Sequence, residues 1–198
     1  MKSRSLVLIV IVAFILILGG CGCSGYNKMI SLDENVKAKW ANVQSDYQRR
    51  ADLVPNLVST VKGAANFEQE TLTKVIEARA KATSVNINAD NLTPEKIEQF
   101  QKAQGELGGA LSRLLVVAEQ YPQLQATQNF KDLQAQLEGT ENRIKVSRND
   151  FNSAVQEYNS VVRRFPNNLF AGMLGFKVKE GFKADAGAEN APKVDFSK

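Results

Sequence analysis

A strict helical seam between Phe130 and Phe165 limits the possible folds more than any other part of the chain. Its positions follow one another in alternating steps of three and four residues over roughly five heptads, a spacing typical of helices that pack side by side. A strand cannot use this spacing, because its faces alternate with period 2. A helix of this length spans about 54 Å and needs partners of similar length. The seam consists of Phe130, Leu133, Leu137, Thr140, Ile144, Ser147, Phe151, Ala154, Tyr158, Val161 and Phe165.

Three further helical patterns precede the seam. The first runs from Met29 to Val61 and contains Pro55, where we expect a kink rather than an end because the apolar spacing resumes directly. A second, shorter helix is predicted after Asn66 and Gln69, which resemble a capping box. We expect its apolar face to contain Phe67, Leu72, Val75, Ile76 and Ala80.

The third pattern begins at Thr93-Pro94-Glu95, with Thr93 as the expected N-cap and proline in the first turn. It ends at Tyr121-Pro122, and a short connection leads into the seam helix. The predicted apolar positions are Ile97, Phe100, Leu107, Leu111, Leu114, Leu115 and Ala118.

These patterns predict an all-α fold, an elongated antiparallel four-helix bundle over residues 26–168. A signal peptide or membrane anchor (1–25) precedes the bundle, and an apolar segment with a loosely ordered tail (169–198) follows it. The apolar segment Leu169–Phe176 is too short to cross a membrane. We expect it to fold back over the end of the bundle, and the alternative is contact with a membrane or a partner.

The N-terminus combines basic Lys2 and Arg4 with the apolar run Leu6–Leu18. Two interpretations remain open. In one, this is a lipoprotein signal peptide, and Cys21 becomes the lipidated first residue of the mature chain. In the other, about 23 uncharged residues form a membrane-spanning helix. Both tether the chain to the cell membrane, and the order of basic, apolar and small residues favours an extracytoplasmic bundle.

The composition argues against an enzyme. The chain has no histidine, the commonest general base and metal ligand, and Cys21 and Cys23 are its two cysteines. We therefore expect no catalytic site, metal site or cofactor.

The formal net charge is +4, and Lys2 and Arg4 supply two of these charges. Because no basic face with interleaved aromatics is present, we expect no nucleic-acid partner.

One polar cluster is a candidate site. Arg49, Arg50 and Asp52 come just before Pro55, and we expect them to form a polar cluster with Glu138 or Glu141 of the last helix. Ion pairs that fix the helix register are the favoured interpretation, ahead of catalysis. Thr140 and Ser147 interrupt the seam, and we expect them either to bond to carbonyls one turn back or to form a polar layer.

Several sequence segments closely resemble the bacterial LemA family. Among them are Tyr47-Gln48-Arg49-Arg50-Ala51-Asp52-Leu53-Val54-Pro55-Asn56-Leu57-Val58, Gln136-Leu137-Glu138-Gly139-Thr140-Glu141-Asn142-Arg143-Ile144, Arg163-Arg164-Phe165-Pro166-Asn167-Asn168 and Ala191-Pro192-Lys193-Val194-Asp195-Phe196. The resemblance covers nearly the whole chain beyond the anchor. It implies a membrane-anchored helical bundle and brings no catalytic residue or cofactor.

Two functions from different classes follow. The first is a non-enzymatic adaptor or scaffold that presents its bundle to other envelope proteins, with a homo-oligomer also allowed. The second is a sensory bundle that binds a small ion or anion at the polar cluster. An enzyme ranks third.

Overall fold

The computed structural model describes the backbone of residues 2–63 and 67–183, and the side chains from residue 24 onward in those ranges. These residues form four long helices and two short ones, so the predicted all-helical class is confirmed. The helices are α1 (Lys2–Lys62), α2 (Gln69–Ser84), α3 (Pro94–Ala118), α4 (Pro122–Gln125), α5 (Gln128–Arg163) and α6 (Asn167–Phe170). A 3-10 turn at Ala89–Asn91 lies between α2 and α3.

α1 is one continuous helix of 61 residues. It passes through the predicted boundary at residue 25 and through Pro55 without ending. The apolar run Leu6–Leu18 lies in the part of α1 whose side chains are not described. Within the fully described ranges, no helix is both long and apolar enough to cross a membrane.

α2 begins at Gln69, with Glu68 in the N-cap position. Asn66, half of the predicted capping box, lies outside the described residues. The predicted apolar face is wrong at Ile76 and Ala80, which are exposed. The face that packs toward the rest of the bundle instead contains Thr71, Leu72, Val75, Ala78 and Ala82.

α3 begins as predicted. The Thr93 hydroxyl oxygen accepts a hydrogen bond from the Lys96 backbone N–H at 3.4 Å, and Pro94 occupies the first turn. The helix ends at Ala118, before the predicted end at Tyr121, and the short α4 fills the connection to α5. Of its predicted apolar positions, only Leu115 is not fully buried.

α5 confirms the seam from Phe130 to Tyr158, where every predicted position is buried. The last part of the seam differs. Val162 is buried in place of Val161, and Phe165 is 74% exposed. Phe165 is exposed because α5 ends at Arg163, so this residue no longer follows the helical spacing.

Neighbouring helices are antiparallel. Along α1, Lys28, Lys39 and Arg50 form ion pairs with Glu157, Asp150 and Glu141 of α5, so residue numbers rise on one helix as they fall on the other. α2 and α3 are also antiparallel, since Lys81 pairs with Glu106 and Ala82 lies next to Gln104. The core has two apolar clusters, one around Met29 to Tyr47 of α1 and one around Leu53 to Val61.

The apolar segment after α5 folds back only in part. Ala171 and Phe176 pack onto the bundle and are buried, as expected. The expectation is wrong for the other large side chains, which face solvent: Leu169, Phe170, Met173 and Leu174. This leaves an apolar surface at one end of the bundle.

Candidate functional site

A buried arginine separates the two apolar clusters of the core. Arg50 continues the seam spacing of α1, three residues after Tyr47 and four before Val54, and its side chain is only 4% exposed. Its guanidinium lies over the Tyr47 ring, 5.0 Å from the ring centroid. Burial raises the pKa of Tyr47, and the positive charges of Arg148 and Arg50 oppose that rise.

Arg50 is bonded to two other helices. Its Nη1 donates to Glu141 Oε1 of α5 at 2.7 Å. Its Nη2 donates to the backbone carbonyl of Gln104 at 2.7 Å and to Gln104 Oε1 at 2.8 Å. Gln104 Nε2 then donates to the Ala82 carbonyl of α2 at 3.2 Å. These bonds link all four long helices in one layer, which we call the Arg50 layer.

The Arg50 layer has one exposed member and one incompletely bonded atom. The Glu141 side chain is 51% exposed, so solvent reaches the anionic side of the ion pair. Arg50 Nε is buried and has no hydrogen-bond partner. Because arginine keeps its proton, this layer is suited to holding an anion or fixing helix register rather than to proton transfer.

The structure places the predicted site residues in two groups. Arg50 and Glu141 meet in the Arg50 layer. Arg49, Asp52 and Glu138 are exposed on the helix surfaces. Asp52 accepts a hydrogen bond from Gln48 of its own helix at 2.7 Å.

Gln104 is a site residue that the sequence analysis missed. It is buried between Phe100 and Leu107, at core spacing on α3. A glutamine at a core position was the available signal. Thr140 and Ser147 are buried and donate to carbonyls of their own helix, those of Gln136 and Ile144, at 2.7 and 3.1 Å.

A second polar network ties three segments together near Lys37 of α1. Lys37 forms ion pairs with Asp90 at 2.8 Å, Glu34 at 3.0 Å and Asp33 at 3.3 Å. Hydrogen bonds to these carboxylates, chiefly to Asp90, raise the pKa of Lys37. Asp33 also pairs with Lys179 at 2.8 Å. The network joins α1 to the Ala89–Asn91 turn and to the chain after α6.

The chain from Lys177 to Lys183, which we call the C-terminal strap, lies along α5 and is held by two asparagines. Asn152 Oδ1 accepts from the Phe182 N–H at 2.8 Å, and its Nδ2 donates to the Phe182 carbonyl at 3.1 Å. Asn159 makes the same two bonds with Lys179, at 2.9 and 2.7 Å. Asn152 and Asn159 are seven residues apart, which is about 10.5 Å along the helix, whereas their partners Phe182 and Lys179 are three residues apart. The strap between these partners must therefore be nearly extended.

The strap also places one side chain in the core. The Phe182 ring is buried, with ring centroids 5.9 Å from Trp40 and 5.6 Å from Phe151. The Arg148 guanidinium covers it at 4.7 Å. The strap therefore completes the bundle core.

Metal sites and open cavities are two other kinds of candidate site. Among the residues whose side chains the structure describes, no group of His, Cys, Asp or Glu could hold a metal ion. A cavity of about 840 Å³ lies at the end of the bundle where α1 ends and where α3 connects to α5. Its lining includes Ser59, Thr60, Tyr121 and Leu124. Cys21, the predicted lipidation site, lies outside the described side chains.

Comparison with known proteins decides the family. The LemA family model matches residues 39–196, which include the Arg50 layer and the strap. The chain belongs to the LemA family. The predicted resemblance is thus confirmed.

The individual relatives have low sequence identity to this chain. The chain is 29% identical over 177 residues to magnetosome protein MamQ 2 of Paramagnetospirillum magneticum, covering 80% of this chain and 64% of that protein. It is 29% identical over 176 residues to magnetosome protein MamQ of Magnetospirillum gryphiswaldense, covering 79% and 64%. Protein LemA of Metamycoplasma hominis is 24% identical over 149 residues, covering 75% and 64%. The chain thus spans about 64% of the length of these relatives.

Proposed function

We propose that this LemA family chain is a membrane-anchored, non-enzymatic adaptor or scaffold of the cell envelope. The main supporting observation is the continuity of α1, in which one helix contains both the apolar run Leu6–Leu18 and the central helix of the bundle. A bundle built on such a helix is a direct extension of its anchor. The part of this helix from Met29 to Lys62 is about 51 Å long.

Further features support a structural role. The side chains of the Arg50 layer form hydrogen bonds between helices, and the strap is hydrogen-bonded to α5. Both features are expected of groups that fix a rigid shape. The magnetosome relatives are named for a cellular structure rather than for a reaction. For this chain we propose the cell membrane as the location, with the bundle on the extracytoplasmic side, and other envelope proteins as partners.

The anchor is tested by mass spectrometry of the mature N-terminus together with fractionation of cells. A lipidated Cys21 supports lipoprotein processing and extracytoplasmic placement, whereas an intact Met1 in the membrane fraction supports the spanning helix. Recovery of the full chain in the soluble fraction would contradict the proposal.

The scaffold role is tested by crosslinking in intact cells that express the full-length chain. We expect reproducible crosslinks from exposed lysines of the bundle to a small set of envelope proteins. A chain that is anchored but repeatedly crosslinks to no other protein would count against a scaffold. Substrate turnover that is abolished by Glu138→Gln would instead establish an enzyme.

A second candidate is an anion-sensing bundle, favoured by the buried Arg50 Nε that lacks a partner. A ligand that binds only the folded state raises Tm. We would screen small anions, including inorganic phosphate and sulfate, against the wild type, Arg49→Gln and Arg50→Gln. Sensing predicts a Tm increase in the wild type and in Arg49→Gln that Arg50→Gln lacks. Equal shifts in all three proteins would exclude the Arg50 layer as the site.

A further inference from the structure

The apolar surface after α5 lies at the end of the bundle where α1 enters it. Asn167 is the first residue of α6, and its side chain lies so close to Gly25 that a Cβ atom on residue 25 would collide with it. The rings of Tyr26 and Phe176 are in edge contact, with centroids 5.7 Å apart. These two contacts hold the loop 164–176 against α1 at Gly25 and Tyr26.

The exposed large apolar side chains of this loop fall within ten residues of sequence, 165–174. They are Phe165, Leu169, Phe170, Met173 and Leu174, and we call them the apolar rim. Met173 is 80% exposed. The neighbouring Ala171 and Phe176 are buried and hold the rim to the bundle. Solvent-exposed apolar clusters of this kind usually mark a binding surface.

The charge around the apolar rim is mainly positive. Residues 158–178 contain Arg163, Arg164 and Lys177 and no aspartate or glutamate, whereas the nearby Lys28 of α1 pairs with Glu157 at 3.8 Å. Large apolar side chains surrounded by lysine and arginine are typical of segments that lie in the interface of an anionic bilayer. The rest of the bundle mixes both signs, as the ion pairs between α1 and α5 illustrate.

The position along α1 fits a bilayer as the occupant. Leu18, the last residue of the apolar run, precedes Gly25 by about 10 Å of helix. The headgroup layer on each side of a bilayer is about 5–8 Å thick. Apolar side chains that project from the loop beside Gly25 therefore reach the depth of the headgroups once the run is in the hydrocarbon.

We infer that the apolar rim, together with Arg163, Arg164 and Lys177, docks onto the anionic surface of the membrane that holds α1. This inference rests on the proposed function, because the anchor brings the rim to the surface. Docking at a second point restrains the bundle relative to the bilayer, which a single helix cannot do. Each basic residue near an anionic surface contributes about a five-fold change in the partition coefficient.

The test uses the full-length chain reconstituted into vesicles of phosphatidylcholine and phosphatidylglycerol with brominated acyl chains, which quench nearby tryptophan. Met173→Trp is compared with Val146→Trp, an equally suitable exposed site on α5, 62% exposed and far from the rim. The native Trp40 is buried within the bundle and gives the same background in both proteins. Circular dichroism confirms that each variant is folded.

We expect the added fluorescence of Met173→Trp to be quenched severalfold more than that of Val146→Trp. The difference should shrink in vesicles of phosphatidylcholine alone, in high salt, and when Arg163→Glu and Arg164→Glu are added. Equal, weak quenching at both sites in protein that floats with the vesicles would overturn the inference and leave the anchor intact. Protein that fails to float, with neither site quenched, would overturn both proposals.

A second copy of the chain is the other occupant to exclude. In that case Met173→Trp would be shielded from a water-soluble quencher but not quenched by brominated lipid, and crosslinking would yield a dimer. That result also overturns the inference.

Discussion

Gln104 holds the guanidinium of Arg50 at two points, because its backbone carbonyl lies 2.7 Å and its side-chain oxygen 2.8 Å from the same nitrogen, Nη2. A side-chain amide that also donates to Ala82 cannot rotate away without losing a bond on each side. Arg50 therefore fixes the position of α3 along the axis of α1. Glu141, on α5, is the partly exposed end of the same series of hydrogen bonds.

The first prediction concerns Arg50 itself. Arg50→Met keeps the apolar stem and leaves the buried side-chain oxygen of Gln104 without its donor, which we expect to lower the free energy of unfolding by about 1–3 kcal/mol. Arg49→Met, on the exposed face of the same helix, should change it by less than about 0.5 kcal/mol. Urea unfolding of the full-length chain in detergent measures both. Equal effects of the two substitutions would show that the Arg50 layer does not stabilise the bundle.

Much of the fold was predictable from spacing alone, because each long helix buries one face and the 3.5-residue pattern identifies that face directly. The same spacing distinguishes Arg50 from Arg49, since Val43, Tyr47, Arg50 and Val54 follow steps of four, three and four. It failed at Ile76 and Ala80 of α2, which are exposed, and it failed where the chain turns. Phe165 matches the pattern of α5 but comes after the helix has ended.

The contacts of the strap were not predictable in this way. Asn152 and Asn159 occur in the pattern as ordinary polar residues of α5, and their partners lie 30 and 20 residues further along the chain. Helical periodicity describes packing between helices and gives no information on a helix that binds an irregular segment. Likewise, Gly181 gives no local signal of its close approach to Asn152.

The second prediction tests the hold of Asn152 on the strap. Asn152→Ala removes two hydrogen bonds to Phe182, and at about 0.5–1.5 kcal/mol each we expect a loss of about 1–3 kcal/mol. Amide hydrogen exchange of the strap should accelerate more than that of the helices, because the strap can detach locally. Asn149→Ala, at an exposed position one turn earlier on α5, is the control. Unchanged exchange at Phe182 would contradict the role of Asn152.

The third prediction uses two glycines with opposite surroundings. A Cβ atom at Gly181 would lie 3.1 Å from Asn152 Cγ, closer than normal packing allows. Gly181→Ala should therefore cost about 1–3 kcal/mol by overpacking. Gly139 lies inside α5 with nothing within 4 Å of its Cβ position, so Gly139→Ala should stabilise the chain by up to about 1 kcal/mol. Thermal unfolding of both variants should show Tm shifts of opposite sign, and a shared sign would contradict the close approach.

The last prediction concerns alkaline pH and Tyr158. Burial, with the negative charge of Asp33 as a second cause, raises the pKa of Tyr158 to about 12 from its ordinary value of 10.0. Between these values the unfolded chain has released the phenol proton while the folded chain retains it. Folding then binds a proton, so the free energy of unfolding should fall as pH rises from about 10 to 12. Tyr158→Phe removes this phenol, and although it also loses the 3.0 Å bond to the Lys177 carbonyl, its urea midpoint should fall less steeply over that range. An identical slope in wild type and variant would show that Tyr158 titrates normally in the folded chain.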